Sequence, residues 1–292
     1  MSSDEAKGTV HVDRDPVDHI ARITFDNPTK KNAVNLDMVA TLTQALDELA
    51  YDDDIKIVLL RGVGGVFTTG ADLSQAYDWY ATPGDDRRPS QRRRLAQDRS
   101  SLRIFHEFVG YPKVTVAQVE GYAFGLGLEL ALASDLAVVG RSTLIGMPAA
   151  RFLGPVLGNI PLFFHRLGPV IARDLLLTGR QASVGAFETA HLFARIVADD
   201  QVPTIAEELA AQVARMPADG IAIAKEAYRL VESQNGLAGE EVAQYLFHSY
   251  GTNLRFEEDE FNFVKERARS GSTGDAFKKR DEFYDGTAEG AP

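Results

Sequence analysis

The chain predicts an α/β fold of parallel strands joined by crossover helices, and three observations support this. Short apolar runs of strand length recur, each followed by a glycine-rich break and then by residues at helical spacing. Two of the breaks, at 67–73 (Phe67-Thr-Thr-Gly-Ala-Asp-Leu73) and 121–130 (Gly121-Tyr-Ala-Phe-Gly-Leu-Gly-Leu-Glu-Leu130), stand directly after strand-like segments. Beyond about Leu175 strand signals mostly vanish, which predicts a helical C-terminal part.

In chain order, 19–25 (His19-Ile-Ala-Arg-Ile-Thr-Phe25) alternates apolar and polar residues as a half-buried strand does, and Asp26, Asn27 and Pro28 turn the chain. From Asn35 the spacing changes. Val39, Leu42, Leu46 and Leu49 recur every three or four residues, giving a helix with Asn35 as its N-cap that closes at Asp52 to Asp54. The run 55–60 reads as a strand that Gly62, Gly64 and Gly65 break. A second cycle follows, with 113–119 as strand, 121–127 as turn, 128–134 as helix and 136–139 as strand. Residues 83–89 read as a loop, 205–269 as mainly helical, and 286–292 as a frayed end. The expected division is a core at 1–200 and a helical region at 201–292.

Bulk properties narrow the function. The 292 residues are enough to bury a substantial core, and the absence of cysteine removes disulfides, thiolate catalysis and Cys-ligated zinc together. A formal net charge of −11 argues against a general nucleic-acid binder, which needs a basic surface. The N-terminal residues carry no apolar leader segment, and no stretch is long enough to span a bilayer, so the expectation is a soluble cytoplasmic protein without membrane partners. The six histidines show no metal-binding spacing, so no metal is expected.

The two glycine-rich breaks concentrate the chemistry. Each can present backbone N–H groups at the mouth of a sheet, and two such donors converging on one carbonyl oxygen form an oxyanion hole. The second break also leads into a helix whose one acid, Glu129, sits among Leu126, Leu128, Leu130, Ala131, Leu132 and Ala133. A buried acid beside an oxyanion hole points to proton transfer next to a thioester or similar carbonyl. The competing reading of Glu129 is a core carboxylate neutralised by a local hydrogen bond, which is the less favoured because buried Glu is uncommon. A dinucleotide-binding turn at Gly125 and Gly127 is disfavoured, since Leu130 stands where its third glycine belongs. From its own segment alone, 70–72 reads almost equally well as an ordinary turn with a helix-capping Asp.

At these segments the chain resembles the crotonase family, the enoyl-CoA hydratase/isomerase superfamily. The resemblance runs from about Val10 to Asp285 and rests on four segments in order: 27–33 (Asn27-Pro-Thr-Lys-Lys-Asn-Ala33), 67–73, 121–135 and 177–180 (Leu177-Thr-Gly-Arg180). It implies a spiral of ββα units followed by a C-terminal helical region, assembled as a trimer or dimer of trimers. It also implies a coenzyme A thioester as ligand, with no cofactor beyond the coenzyme A of the substrate. Carried over by position, the oxyanion donors are the N–H groups of Ala71 and Leu126, and Glu129 is the general acid–base residue. Lys31, Ala33, Thr69 and Asp72 are implied to contact substrate. Phe277 and Arg280, in an aromatic-plus-basic element, are implied to pack on adenine and phosphates.

The chain departs from the family pattern at two of these places. Leu126 replaces a glycine, which leaves a main-chain donor intact but narrows the acyl pocket. Ala149 stands where the family's hydratases place a second glutamate after a proline. Arg151, His106, Glu107, Tyr77 and Asn159 are the candidates to supply the missing group, and Arg151 is alternatively a partner for a second carboxylate on the acyl chain. The basic cluster Arg87, Arg88, Arg92, Arg93 and Arg94 reads first as a solvated loop and helix face, second as an attractor of phosphates. The function implied is hydration of a 2-enoyl-CoA. The alternatives are isomerisation or carbon–carbon hydrolysis with one carboxylate, and non-catalytic acyl-CoA binding.

Overall fold

The computed structural model describes residues 8–75, 80, 89–251, 256 and 260–285. Its elements run β1 (Thr9–Asp15), β2 (Ile20–Asp26), α1 (Leu36–Ala50), β3 (Ile57–Gly62), α2 (Gln91–Val109), β4 (Val114–Val119), β5 (Tyr122–Phe124), α3 (Leu126–Ala133), β6 (Leu136–Gly140), β7 (Leu144–Gly146), α4 (Ala150–Leu153) and α5 (Ile160–Thr178). They continue with β8 (Ala182–Ser183), β9 (Arg195–Val197), α6 (Val202–Ala214), α7 (Ala218–Glu232), α8 (Glu240–Gly251), α9 (Phe263–Ser270) and α10 (Thr273–Tyr284).

Six strands form one sheet in the order β1-β2-β3-β4-β6-β9. All neighbours from β2 to β9 pair in parallel, and β1 is antiparallel to β2. Because side chains alternate across a strand, β3 sends Val58 and Leu60 to one face and Ile57 and Leu59 to the other. Both faces are covered, which explains why the run reads as continuously apolar rather than alternating. On the first face lie α1, α2, α3 and α5, and on the second α6 lays Val202, Ala206, Ala210 and Ala214 against Ile20, Val116 and Val138. The helix after residue 200 thus packs directly on the sheet.

The α1 helix forms where its spacing predicts. The Asn35 side chain accepts a hydrogen bond from the Met38 N–H at 2.9 Å, and Met38, Leu42, Ala45, Leu46 and Leu49 are buried. By contrast, α3 is buried on every side, as a helix without a polar face must be.

Several expectations need correction. Residues 121–127 are not a simple turn: Tyr122–Phe124 is a strand, which with β7 and β8 forms a second, three-stranded sheet. A three-residue strand is too short to leave a periodic signal, and α3 starts at Leu126 because Gly125, at φ 51° and ψ −117°, reverses the chain there. The strand β1 escaped notice because it is an edge strand whose charged residues face solvent. Two short strands, β8 and β9, interrupt the region expected to be helical after Leu175. Except for Pro89, the loop expected at 83–89 lies outside the described residues, as do Tyr77, Arg87, Arg88 and the expected frayed end at 286–292.

Candidate active site

The Gly70 segment and the start of α3 meet at the ends of β3 and β4. Val34 and Ala71 form a parallel bridge in which the Val34 N–H donates to the Gly70 carbonyl at 2.8 Å and the Asp72 N–H to the Val34 carbonyl at 2.8 Å. In such a bridge the intervening N–H, that of Ala71, points to the opposite side. Leu126, as the first residue of α3, has no partner for its N–H within the helix, and the positive end of the helix dipole lies there. Gly70 brings the two segments together. It sits at φ +96°, and a Cβ on it would lie 2.6 Å from the Phe124 carbonyl oxygen and 3.5 Å from the Leu126 nitrogen. Only a residue without a side chain permits that approach.

Ala71, Leu126 and Glu129 line one cavity of about 830 Å³, a size suited to a drug-sized or larger acyl ligand. Glu129 is one helical turn after Leu126, so the carboxyl and the donor face the same space. The carboxyl is buried, and burial pushes its pKa up to about 8 from an ordinary 4.5. The Asn159 N–H and the Gln244 amide, whose Nε2 lies 3.1 Å from Glu129 Oε2, oppose that shift, and the nearby Glu240 charge adds to it. At neutral pH the free protein therefore holds Glu129 mostly as the neutral acid. Gly158 leaves room for the carboxyl, since a Cβ there would lie 2.8 Å from Glu129 Oε1.

Of the residues implied to contact substrate, Ala33, Thr69, Asp72, Phe277 and Arg280 line the cavity. Phe277 stacks on Phe263 with ring centroids 5.1 Å apart, and the Arg280 guanidinium lies 5.0 Å from the Phe277 ring. Lys31 does not line the cavity. Its ammonium lies over the Tyr122 ring, 4.4 Å from the centroid, and it is Lys30 that reaches the cavity, paired with Asp72 at 2.9 Å. The Lys31 backbone is left-handed, at φ 51°, which turns its side chain away from its neighbour's.

Arg151 also departs from expectation. It does not line the cavity but holds the C-terminal helix, with NH1 at 2.9 Å from Asp285 and 3.6 Å from Asp281, and its Nε donates to the Thr178 carbonyl at 3.1 Å. Its charge is thus engaged by two carboxylates of the same chain. Ala149 lines the cavity beside Pro148 and offers only a methyl group. Among the residues considered for the missing group, His106 pairs with Glu240 and Glu107 with Arg103, and neither lines the cavity. Asn159 acts on Glu129 through its N–H, while its side chain caps α5 and donates to Glu240 at 2.8 Å.

The reading of 92–94 as a solvated face fails at Arg94, which is buried, lines the cavity and lies 4.5 Å from the centroid of the Tyr80 ring. Sequence reasoning missed Tyr80, Asp98, Gln244 and His248. The available signal was slight: Gln244 and His248, four residues apart on α8, share one helix face.

Known proteins are similar to this chain in both sequence and fold. A sequence model described as enoyl-CoA hydratase/isomerase matches residues 17–270. A putative enoyl-CoA hydratase of Thermus thermophilus is 32% identical over 209 residues, covering 71% of this chain and 79% of that protein. The probable enoyl-CoA hydratase EchA14 of Mycobacterium tuberculosis is 33% identical over 226 residues, covering 75% of this chain and 81% of its own length. Among solved structures, an enoyl-CoA hydratase of Mycobacterium smegmatis superposes with a TM-score of 0.81 at 25% identity, covering 97% of this chain and 96% of that one.

Proposed function

The chain belongs to the enoyl-CoA hydratase/isomerase family of enzymes, and from that premise we propose that it hydrates a 2-enoyl-CoA through a thioester enolate. One observation carries the reading: Ala71, Leu126 and the buried Glu129 line a single cavity. The two N–H groups donate hydrogen bonds to the thioester oxygen, and their interaction strengthens as negative charge develops on it. A base takes one proton from water as the water oxygen bonds to the β-carbon, the π pair moves to the thioester as an enolate, the Glu129 carboxyl delivers its proton to the α-carbon, and the proton taken from water restores the Glu129 carboxyl. Phe277 and Arg280 bind the nucleotide end of coenzyme A, supported by their place in the cavity wall. Assembly as a trimer or dimer of trimers is part of the proposal, supported by the apolar side chains of Ile223, Tyr228, Leu230 and Val231 that α7 leaves exposed. No helix among the described residues is long and apolar enough to cross a membrane.

A second reading, isomerisation or carbon–carbon hydrolysis with one carboxylate, is favoured by Ala149, which lines the cavity and brings no acid to it. Incubation with short, long, aromatic and carboxylated 2-enoyl-CoAs separates the two by product mass. Gain of one water, abolished in Glu129→Gln, supports hydration. Conversion at unchanged mass, or chain cleavage, replaces it with the second reading.

A further inference from the structure

Hydration requires a group that takes a proton from water as well as one that gives a proton to carbon. With Glu129 held as the neutral acid, the first task falls to another group. Most of the charged groups of the cavity wall are already committed. Lys30 and Asp72 are paired with each other, Asp281 is paired with Arg280 and Arg151, and guanidinium groups do not deprotonate. The one imidazole among the described lining residues is His248.

His248 sits in a built arrangement. Its Nδ1 lies 3.1 Å from Asp98 Oδ1 and 3.2 Å from the Tyr80 hydroxyl. Asp98 is buried and also accepts hydrogen bonds from Tyr80 and, at 2.7 Å, from the Ser249 hydroxyl. Burial raises the Asp98 pKa, but the hydrogen bonds from His248, Tyr80 and Ser249 outweigh it and keep the group below the usual carboxylate range. A carboxylate on Nδ1 fixes the ring and its tautomer, so that exchange with a ligand takes place at Nε2. Gln244, one turn earlier on α8, touches Glu129, and residues four apart on a helix are about 5–6 Å apart at Cβ.

We infer that His248, oriented by Asp98, is the second acid–base residue of this cavity and deprotonates the attacking water. This inference rests on the hydratase reading. The water O–H bond breaks, its proton goes to Nε2, and the oxygen forms the bond to the β-carbon. The π pair passes to the enolate held by Ala71 and Leu126, and Glu129 protonates the α-carbon. The imidazolium then returns its proton through solvent to the Glu129 carboxylate, and no oxidant or further reactant is needed. In this scheme Asp98 is a positioning residue.

The test compares two reactions of the whole protein. Hydration of the preferred 2-enoyl-CoA needs both groups, whereas exchange of the α-protons of the saturated acyl-CoA with D₂O, run at about pH 9 so that Glu129, with its pKa of about 8, is ionised and can act as base, needs only Glu129 and the oxyanion donors. His248→Gln is expected to lower the hydration kcat about 10²- to 10⁴-fold while leaving exchange within about twofold of wild type, which also shows that the variant folds. Asp98→Asn is expected to lower the hydration kcat with KM and exchange unchanged. A His248→Gln enzyme that hydrates at the wild-type rate overturns the inference and leaves the hydratase reading standing. Wild-type protein that exchanges α-protons but adds no water overturns both.

Discussion

Replacing Glu129 with glutamine is expected to make the folded protein progressively more stable than wild type as pH rises from about 5 to 8. The side chain is 4% exposed, and its pKa is raised from 4.5 to about 8, with burial as the main cause. Within that window the folded wild type keeps a proton that the unfolded chain has released, so its stability falls as pH rises. The slope is about 1.4 kcal/mol per pH unit, or about 4 kcal/mol over three units. Glutamine is always neutral, so the variant lacks this slope, while any fixed difference in its hydrogen bonds to Gln244 and Asn159 displaces the whole profile without tilting it. Urea unfolding of both proteins at pH 5, 6, 7 and 8 reads the tilt directly. Parallel profiles, or a gap that narrows with rising pH, would show that Glu129 is ionised at its ordinary pKa and would refute the reasoning.

Three other substitutions probe the site from separate directions. Gly70→Ala puts a Cβ 2.6 Å from the Phe124 carbonyl oxygen at φ +96°, so it separates the two oxyanion donors; steady-state kinetics should show kcat/KM reduced about 10²- to 10³-fold. Gly158→Ala puts a Cβ 2.6 Å from Met147 Cε and Phe163 Cε2 and 2.8 Å from Glu129 Oε1 at φ +91°, so it should lower stability in urea unfolding and, by displacing the carboxyl, lower kcat by about 10²-fold. Arg151→Ala removes the pairing with Asp285 and Asp281 and should cost about 1 kcal/mol in chemical denaturation. If Arg151 does not meet the acyl chain, the ratio of rates on carboxylated and plain acyl-CoAs stays the same in that variant.

The parts of the fold legible in the sequence were those with a local cause. The Asn35 cap and the spacing of Val39, Leu42, Leu46 and Leu49 define α1 without help from elsewhere, although Met38 rather than Val39 is the fully buried residue, and the apolar runs of β3 and β4 announce strands. Strand β5 was not legible, because three residues pair with β7 only through a register set by the rest of the chain. The site divides in the same way. Glu129 stood out as the lone acid in an apolar helix, and the glycine-rich breaks pointed to the donors. His248 and Asp98 belong to helices far apart in sequence, and their relation exists only once α2 and α8 pack together. Arg151 misled because its partners, Asp281 and Asp285, come from the C-terminal helix and the residue after it.

The central claim is that Ala71, Leu126 and Glu129 together generate a thioester enolate. Deuterium incorporation at the α-carbon of a saturated acyl-CoA in D₂O at about pH 9, above the Glu129 pKa of about 8 so that the carboxylate can take the α-proton, followed by mass spectrometry for wild type and Glu129→Gln, tests it without assuming any product. The account predicts incorporation by wild type that falls about 10²-fold or more in the variant. Wild-type protein that binds the thioester without incorporating deuterium, or a variant that incorporates it at the wild-type rate, would contradict the claim.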